Sequence, residues 1–278
     1  MIEFVQAVAA NPFLQYAVLA GLLASVAAGV VGSYVVVRRI TNIAGSIAHC
    51  VLGGLGAARY LQVAHNQSWC DPLYGAIAAA LLAAVVIGLV SIRARHREDT
   101  AISALWAIGM AVGIVFIHKT PGYSNDLRAY LFGNLLFVSG TDLKLILAID
   151  ILVVGVSLLF YKPLLAVCFD QEFARLRGVP VELFYILLLC LTAMTIVVLV
   201  KVVGIVLVIA LLTLPVAVAG TMTTSLRRMM LVAVLWSIVL TQGGLALSYN
   251  WDLPPGATIV LLAGALYLVS TIWRPANA

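Results

Sequence analysis

Residues 161–180 read YKPLLAVCFDQEFARLRGVP and interrupt two long apolar runs with a short polar segment. This pattern predicts one small surface helix. Asp170 can cap its N-terminus, Gly178 supplies a left-handed stop and Pro180 prevents continuation. The charged side chains suit the helix dipole, with an acid in the first turn and bases in the last: Glu172, Arg175 and Arg177.

The predicted helix also carries an apolar pair. Phe173 and Leu176 are three residues apart and therefore share one face, which charged residues frame. Two interpretations are open from these residues alone. Either the pair docks into a groove on another protein, or the segment is a solvated connector whose apolar residues rest on the bilayer surface.

The composition identifies a membrane protein. Of 278 residues, 64% are hydrophobic and 10% are charged, whereas about 25% of the residues of a soluble domain are charged. Most of the chain must therefore be surrounded by lipid. The net charge of +5 does not indicate a nucleic-acid partner, because the basic residues are spread between apolar runs and form no stripe or arm.

Nine apolar segments are long enough for a helix of about 20 residues, which crosses a hydrocarbon core of about 30 Å. They cover residues 13–37, 43–64, 72–92, 101–118, 142–161, 182–200, 202–219, 229–249 and 255–273. The stretch 182–220 is either two helices with a tight turn or one helix with a re-entrant piece, so eight spans are also possible. We expect an all-α, polytopic protein whose residues 1–278 form one membrane domain.

The basic residues predict the orientation, because segments rich in Lys and Arg stay in the cytoplasm. With Arg38 and Arg39 inside, alternation places eleven of the sixteen basic residues on the cytoplasmic side. The N-terminus is then expected outside and the C-terminus in the cytoplasm. This arrangement requires residues 126–139 to return to the outer face, and their central Gly133 and Asn134 favour a re-entrant or interfacial helix.

Two ionisable residues lie inside apolar runs. His49 belongs to the second span, whose many small residues predict close packing and a central position. It is either a ligand on a pathway or a histidine hydrogen-bonded to a neighbouring carbonyl. Its neighbour Cys50 fits the core. Asp150 should face a cavity or a partner, or be protonated, and both a structural and a pathway role are open.

The sequence lacks the common motifs of hydrolytic and nucleotide-binding sites. It contains no GxxxxGK[ST] phosphate loop, no HExxH, no GxSxG and no GxGxxG between a strand and a helix. We therefore expect that the chain is not an enzyme. If it moves a solute against a gradient, the energy must come from an ion gradient or from a partner.

Five blocks, in order, carry a resemblance to a known family. They are SYVVVRRITNIAGSIAHCVLGGLG at 33–56, REDTAISALWAIGMAVGIV at 97–115, DLRAYLFGNLLFVSGTDL at 126–143, FDQEFARLRGVP at 169–180 and VVGIVLVIALLTLPVAVAG at 202–220. With these blocks the chain resembles the permease subunits of ATP-binding-cassette (ABC) importers for divalent metal ions, in the zinc, manganese and iron branch.

The resemblance implies a homodimeric pore in the plasma (inner) membrane. Its partners would be cytoplasmic ABC ATPase subunits, an extracellular or periplasmic metal-binding receptor, a second copy of the chain and the lipid bilayer. His49 matches a histidine of the family's pathway, so the divalent metal ion is expected as transported substrate, with no permanently bound cofactor. The segment near 169–178 resembles the coupling helix that enters the ATPase, and its residues would be Asp170, Glu172, Phe173, Arg175, Leu176, Arg177 and Gly178.

One position departs from the family pattern. Many members have an aspartate four residues before the pathway histidine, whereas this chain has Gly45. Ser46 or Cys50 could compensate, although neither occupies the same position. The missing carboxylate favours one alternative, a permease of the same architecture for a metal chelate such as a siderophore or cobalamin. A second alternative, from a different class, is a proton-coupled secondary carrier that uses Asp150 and His49 as a relay.

Overall fold

The computed structural model describes residues 2–67, 69–93, 98–121, 133 and 138–272. This part of the chain is all-α. Its helices are α1 (Ile2–Ala10), α2 (Pro12–Arg38), α3 (Thr41–Ala64), α4 (Pro72–Arg93), α5 (Glu98–Lys119), α6 (Gly140–Leu159), α7 (Tyr161–Phe169), α8 (Gln171–Leu176), α9 (Val181–Val203), α10 (Val208–Met222), α11 (Leu226–Trp251) and α12 (Pro255–Ile272).

Each of the nine expected spans corresponds to one of these helices, but not all nine qualify as spans. Within the described ranges, six helices are long and apolar enough to cross a membrane alone: α2, α4, α5, α9, α11 and α12. The pair α6 and α7, bent by 73°, can make a seventh. The other two expected spans are α3, which is not apolar throughout, and α10, which is short. The all-α polytopic class is confirmed, whereas the count of nine is not.

Helix α3 has a less hydrophobic sequence than the spans, because other helices surround it. It packs along both α4 and α5, and glycines bring the backbones together. A side chain at Gly54 would collide with the carbonyl oxygen of Gly75 on α4, and a Cβ at Gly56 would lie 2.7 Å from the carbonyl oxygen of Gly113 on α5. Such contacts are typical of closely packed membrane helices. They confirm the predicted central position of the second span.

The stretch 182–220 forms two helices separated by a turn. Gly204 ends α9 with φ 90°, a conformation that favours glycine, and α10 begins only at Val208 instead of the expected 202. With 15 residues, α10 is about 22 Å long, which is shorter than the hydrocarbon core. The break after α9 is therefore present, and it is a feature that both alternatives for this stretch share.

The predicted return of residues 126–139 to the outer face lies mostly outside the described residues. Gly133 is described, and it has φ +72°. A Cβ added there would lie 2.5 Å from the carbonyl carbon of Val203, so this position lies against the C-terminal end of α9. At the same end of α9, Lys201 Nζ is 3.1 Å from Asp142 Oδ1 at the start of α6.

Helix α9 contacts several other helices of the bundle. It packs against α2, α3, α4 and α6. Most of its residues are buried. The N-terminal end of α9 lies next to α8, so the short polar helix is attached directly to a largely buried element of the fold.

Candidate functional site

The short polar helix predicted around residue 173 is present as α8. Asp170 Oδ1 accepts a hydrogen bond from the backbone N–H of Phe173 at 2.9 Å, which caps the N-terminus. Gly178 ends the segment with φ 76°, and its N–H donates to the carbonyl oxygen of Arg175 at 2.9 Å. Both the cap and the stop are therefore formed by the residues expected from the sequence.

The apolar pair of α8 faces outward. Leu176 is 87% exposed and Phe173 is 52% exposed, whereas Ala174 on the opposite side is fully buried. The Arg177 guanidinium lies 5.1 Å from the centre of the Phe173 ring, so a cation covers part of the aromatic face. One side of the helix therefore packs against the bundle, whereas the other side exposes two apolar side chains next to charged residues.

A polar cavity of about 350 Å³ lies beside α8, at the ends of α2, α4, α5 and α9. Charged residues of both signs line it: Arg38, Arg39, Glu98, Arg175 and Glu182. Arg175 Nη2 is 3.6 Å from Glu182 Oε1, which links α8 to α9. The cavity belongs to the same end of the molecule as the polar helix.

A second set of contacts joins three helices around this cavity. The Ser91 hydroxyl of α4 donates to Glu98 Oε1 of α5 at 2.9 Å and lies 3.1 Å from the Tyr185 hydroxyl of α9. Together with the Arg175–Glu182 pair, these bonds connect α8 through α9 and α4 to α5. Sequence reasoning missed Ser91 and Tyr185, because a single polar residue near the end of an apolar helix gives no pattern.

His49 lies inside the bundle on α3. It is 9% exposed, and its imidazole stacks on the indole of Trp106 from α5, with ring centroids 4.5 Å apart and an interplanar angle of 24°. Its Nδ1 is buried and has no hydrogen-bond partner among the described residues. Within the described part of the chain, Nδ1 therefore does not make the hydrogen bond to a neighbouring carbonyl group that was one of the two expected roles of His49. Trp106 was not anticipated, since an aromatic residue in an apolar span carries no distinctive spacing.

The two residues proposed to compensate for Gly45 have other partners. Ser46 Oγ donates to the carbonyl oxygen of Ile102 at 2.9 Å, and Cys50 Sγ donates to that of Leu105 at 3.3 Å. Both bonds tie α3 to α5. The structure thus places Ser46 and Cys50 beside His49 in the chain but uses their polar atoms for helix packing.

Asp150 lies elsewhere in the bundle. It is 4% exposed on α6, and its Oδ1 is buried with no hydrogen-bond partner among the described residues. Helices α3 and α6 are not among the extensively packed pairs, so the structure does not bring His49 and Asp150 together as one cluster. Across the described ranges, no group of three or more His, Cys, Asp or Glu side chains is placed to hold a metal.

Comparison with known proteins relates this architecture to transport. The profile of the ABC 3 transport family matches residues 10–274. A probable metal transport system membrane protein of Chlamydia pneumoniae is 42% identical over 252 residues, which are 91% of this chain and 86% of that protein. The manganese transport system membrane protein MntC of Halalkalibacterium halodurans is 34% identical over 263 residues, 95% of this chain and 88% of that protein.

The fold is also shared with a solved structure. A chain of PsaBC from Streptococcus pneumoniae, determined in complex with a Fab, superposes with a TM-score of 0.88 at 30% sequence identity, covering 99% of this chain and 97% of that one. The sequence match and the structural match both extend over nearly the whole chain. The chain therefore belongs to the ABC 3 transport family, as a membrane-spanning permease subunit of metal transport systems and not as an enzyme.

Proposed function

We propose that this permease imports a divalent metal ion by using ATP that a separate cytoplasmic subunit hydrolyses. The observation that carries the proposal is α8, a capped helix that presents Phe173 and Leu176 to the outside. A short apolar face bordered by charge is suited to insertion into a groove on a partner protein. Relatives described as metal and manganese transport proteins support the ion as the substrate.

In this proposal α8 faces the cytoplasm, with the N-terminus outside and the C-terminus inside a plasma (inner) membrane. The excess of basic residues on that side supports the orientation. Two copies of the chain enclose the pathway between them. A metal-binding receptor delivers the ion on the outer side, and the ATPase subunits bind α8 on the inner side.

His49 is the proposed metal ligand on this pathway. A neutral imidazole binds zinc, iron(II) and other transition-metal ions, and an unpartnered buried Nδ1 leaves it free to do so. A site on a pathway must also release the ion. A small number of protein ligands therefore suits transport, whereas a complete coordination cage would hold the ion too tightly. The absence of a three-ligand cluster in the described part of the chain is compatible with such transient binding.

The contacts from α8 to α5 provide a route for coupling. When the ATPase moves α8, the Arg175–Glu182 pair transmits the displacement to α9, and Tyr185, Ser91 and Glu98 pass it to α4 and α5. Helix α5 carries Trp106, which contacts His49. Docking on the inner side is thereby connected to the proposed ion site.

The Arg175→Ala variant tests the first link of this route. Because Arg175 and Glu182 are half-exposed or more, loss of their ion pair should change the free energy of unfolding by no more than about 1 kcal/mol. Uptake driven by the ATPase should nevertheless fall severalfold. Thermal unfolding and ion uptake, both measured on the complete transporter, separate the two effects; a matching loss of stability and uptake would contradict a coupling role.

The source of energy can be tested directly. The permease and its ATPase partner, reconstituted in proteoliposomes, should accumulate metal ion when ATP is supplied and should continue to do so after an uncoupler dissipates the proton gradient. A proton-coupled carrier would stop under the uncoupler. The permease without the ATPase should show neither ATP hydrolysis nor accumulation, and accumulation under those conditions would overturn the proposed function.

A further inference from the structure

The side chain of Trp106 fills the space that a side chain at position 45 would need. A Cβ built on Gly45 would lie 2.7 Å from Trp106 Cζ3 and 3.0 Å from Ile209 Cδ1. Contacts below 3.0 Å are too short for a carbon atom, and the two atoms belong to the ends of large, partly exposed side chains. Any residue other than glycine at position 45 therefore requires Trp106 to move.

The same indole also contacts His49. Its ring stacks on the imidazole at 4.5 Å between centroids, so Trp106 covers two positions that are one helical turn apart on α3. A side chain at position 45, four residues before His49, would lie on the same face of α3 and could hold an ion together with the imidazole. Trp106 thus occupies the place of a second ligand.

No carboxylate replaces that ligand from the surrounding helices. Helices α3 and α10 contain no Asp or Glu, and those of α5 are confined to its first turn, at Glu98 and Asp99. Trp106 is seven residues beyond Asp99, which corresponds to about 10 Å along the helix axis. Of the polar neighbours on α3, Ser46 and Cys50 donate to carbonyl groups of α5.

We propose that Trp106 determines the ion selectivity of this permease by filling the space beside Gly45 in which a carboxylate could reach the ion, so that the His49 imidazole is the ligand there. Imidazole suits zinc and similar transition-metal ions, whereas manganese prefers carboxylate and other oxygen ligands and binds nitrogen least tightly in the divalent series. The chain therefore passes Zn²⁺ in preference to Mn²⁺. This inference rests on the proposed function, since it assumes that the ion passes His49.

The test compares variants of the complete transporter in proteoliposomes that contain ATP and equal concentrations of Zn²⁺ and Mn²⁺. Wild type should accumulate mainly Zn²⁺. In the double variant Gly45→Asp/Trp106→Ala, which adds the carboxylate and removes the obstructing indole, the Mn²⁺ to Zn²⁺ uptake ratio should rise about tenfold or more. Trp251→Ala, which removes an exposed indole at the end of α11, is the matched control and should keep the wild-type ratio.

A second measurement covers the case in which the double variant fails to fold. The melting temperature of the purified wild-type transporter should rise at Zn²⁺ concentrations about tenfold lower than those of Mn²⁺, and His49→Phe should remove the Zn²⁺ effect. A folded double variant with an unchanged uptake ratio, or a wild type stabilised equally well by Mn²⁺, would overturn the role of Trp106. Failure of the wild type to take up either ion with ATP would instead overturn the proposed function.

Discussion

Replacing Phe173 and Leu176 together by alanine is expected to abolish ATP-driven uptake by separating the permease from its ATPase. The two side chains form the exposed apolar face of α8. Buried aromatic and aliphatic anchors of this kind contribute about 2 kcal/mol or more each to an interface, so the double variant should bind the ATPase roughly a thousandfold more weakly. Co-purification of the two subunits and ATP-dependent uptake measure the loss.

The docking variant needs a control that is equally exposed and apolar. Trp251→Ala serves, because this side chain is 67% exposed at the far end of α11 and outside α8. It should leave association with the ATPase unchanged. Both side chains removed in the double variant are largely in solvent, and Ala174 remains to anchor the helix, so thermal stability should also be retained. An ATPase that still co-purifies in wild-type amounts with the double variant would show that α8 is a solvated connector.

His49→Phe is expected to reduce metal-ion uptake to less than about a tenth of the wild-type rate. Phenylalanine preserves an aromatic ring that can stack on Trp106, but it removes both nitrogen atoms that could bind an ion. The packing between α3 and α5 should therefore survive while the proposed ligand is lost. Uptake of isotopically labelled metal, together with the yield of assembled transporter, distinguishes these contributions.

Cys50→Ala is the matched control for the histidine variant. Cys50 is adjacent in the chain, buried and bonded to the carbonyl oxygen of Leu105, so its replacement disturbs the same helix interface without touching the imidazole. Uptake should remain close to wild type. If His49→Phe were equally active, His49 would be a packing residue, and the ion would have to follow a route that avoids the contact with Trp106.

Helix α8 could be predicted from the sequence because its determinants are local. The cap at Asp170, the stop at Gly178 and the spacing of Phe173 and Leu176 all lie within nine residues, and the structure contains each of them. Helix boundaries in apolar stretches were less predictable, since lipid-like side chains do not show where a helix turns. The break after Gly204 and the bend between α6 and α7 are examples.

The surroundings of His49 could be predicted only in part. Small residues on α3 correctly indicated a central helix, and the histidine stood out as an ionisable residue in an apolar run. Its neighbour Trp106 is 57 residues away in the chain, and the contact depends on how α3 and α5 pack. No local spacing encodes such a pair. The significance of Gly45 likewise became clear only when the structure showed which atoms adjoin it.

The glycine contacts that hold α3 between α4 and α5 have a consequence for the transport cycle. Where backbones meet as closely as at Gly54 and Gly75, one helix cannot slide along the other without steric overlap. The three helices are therefore suited to swing as a single rigid body during alternating access. His49 and Trp106 would then keep their mutual geometry in the outward-open and inward-open states. The ion would be released because the pathway opens to the other side of the membrane, while the arrangement of its site stays the same.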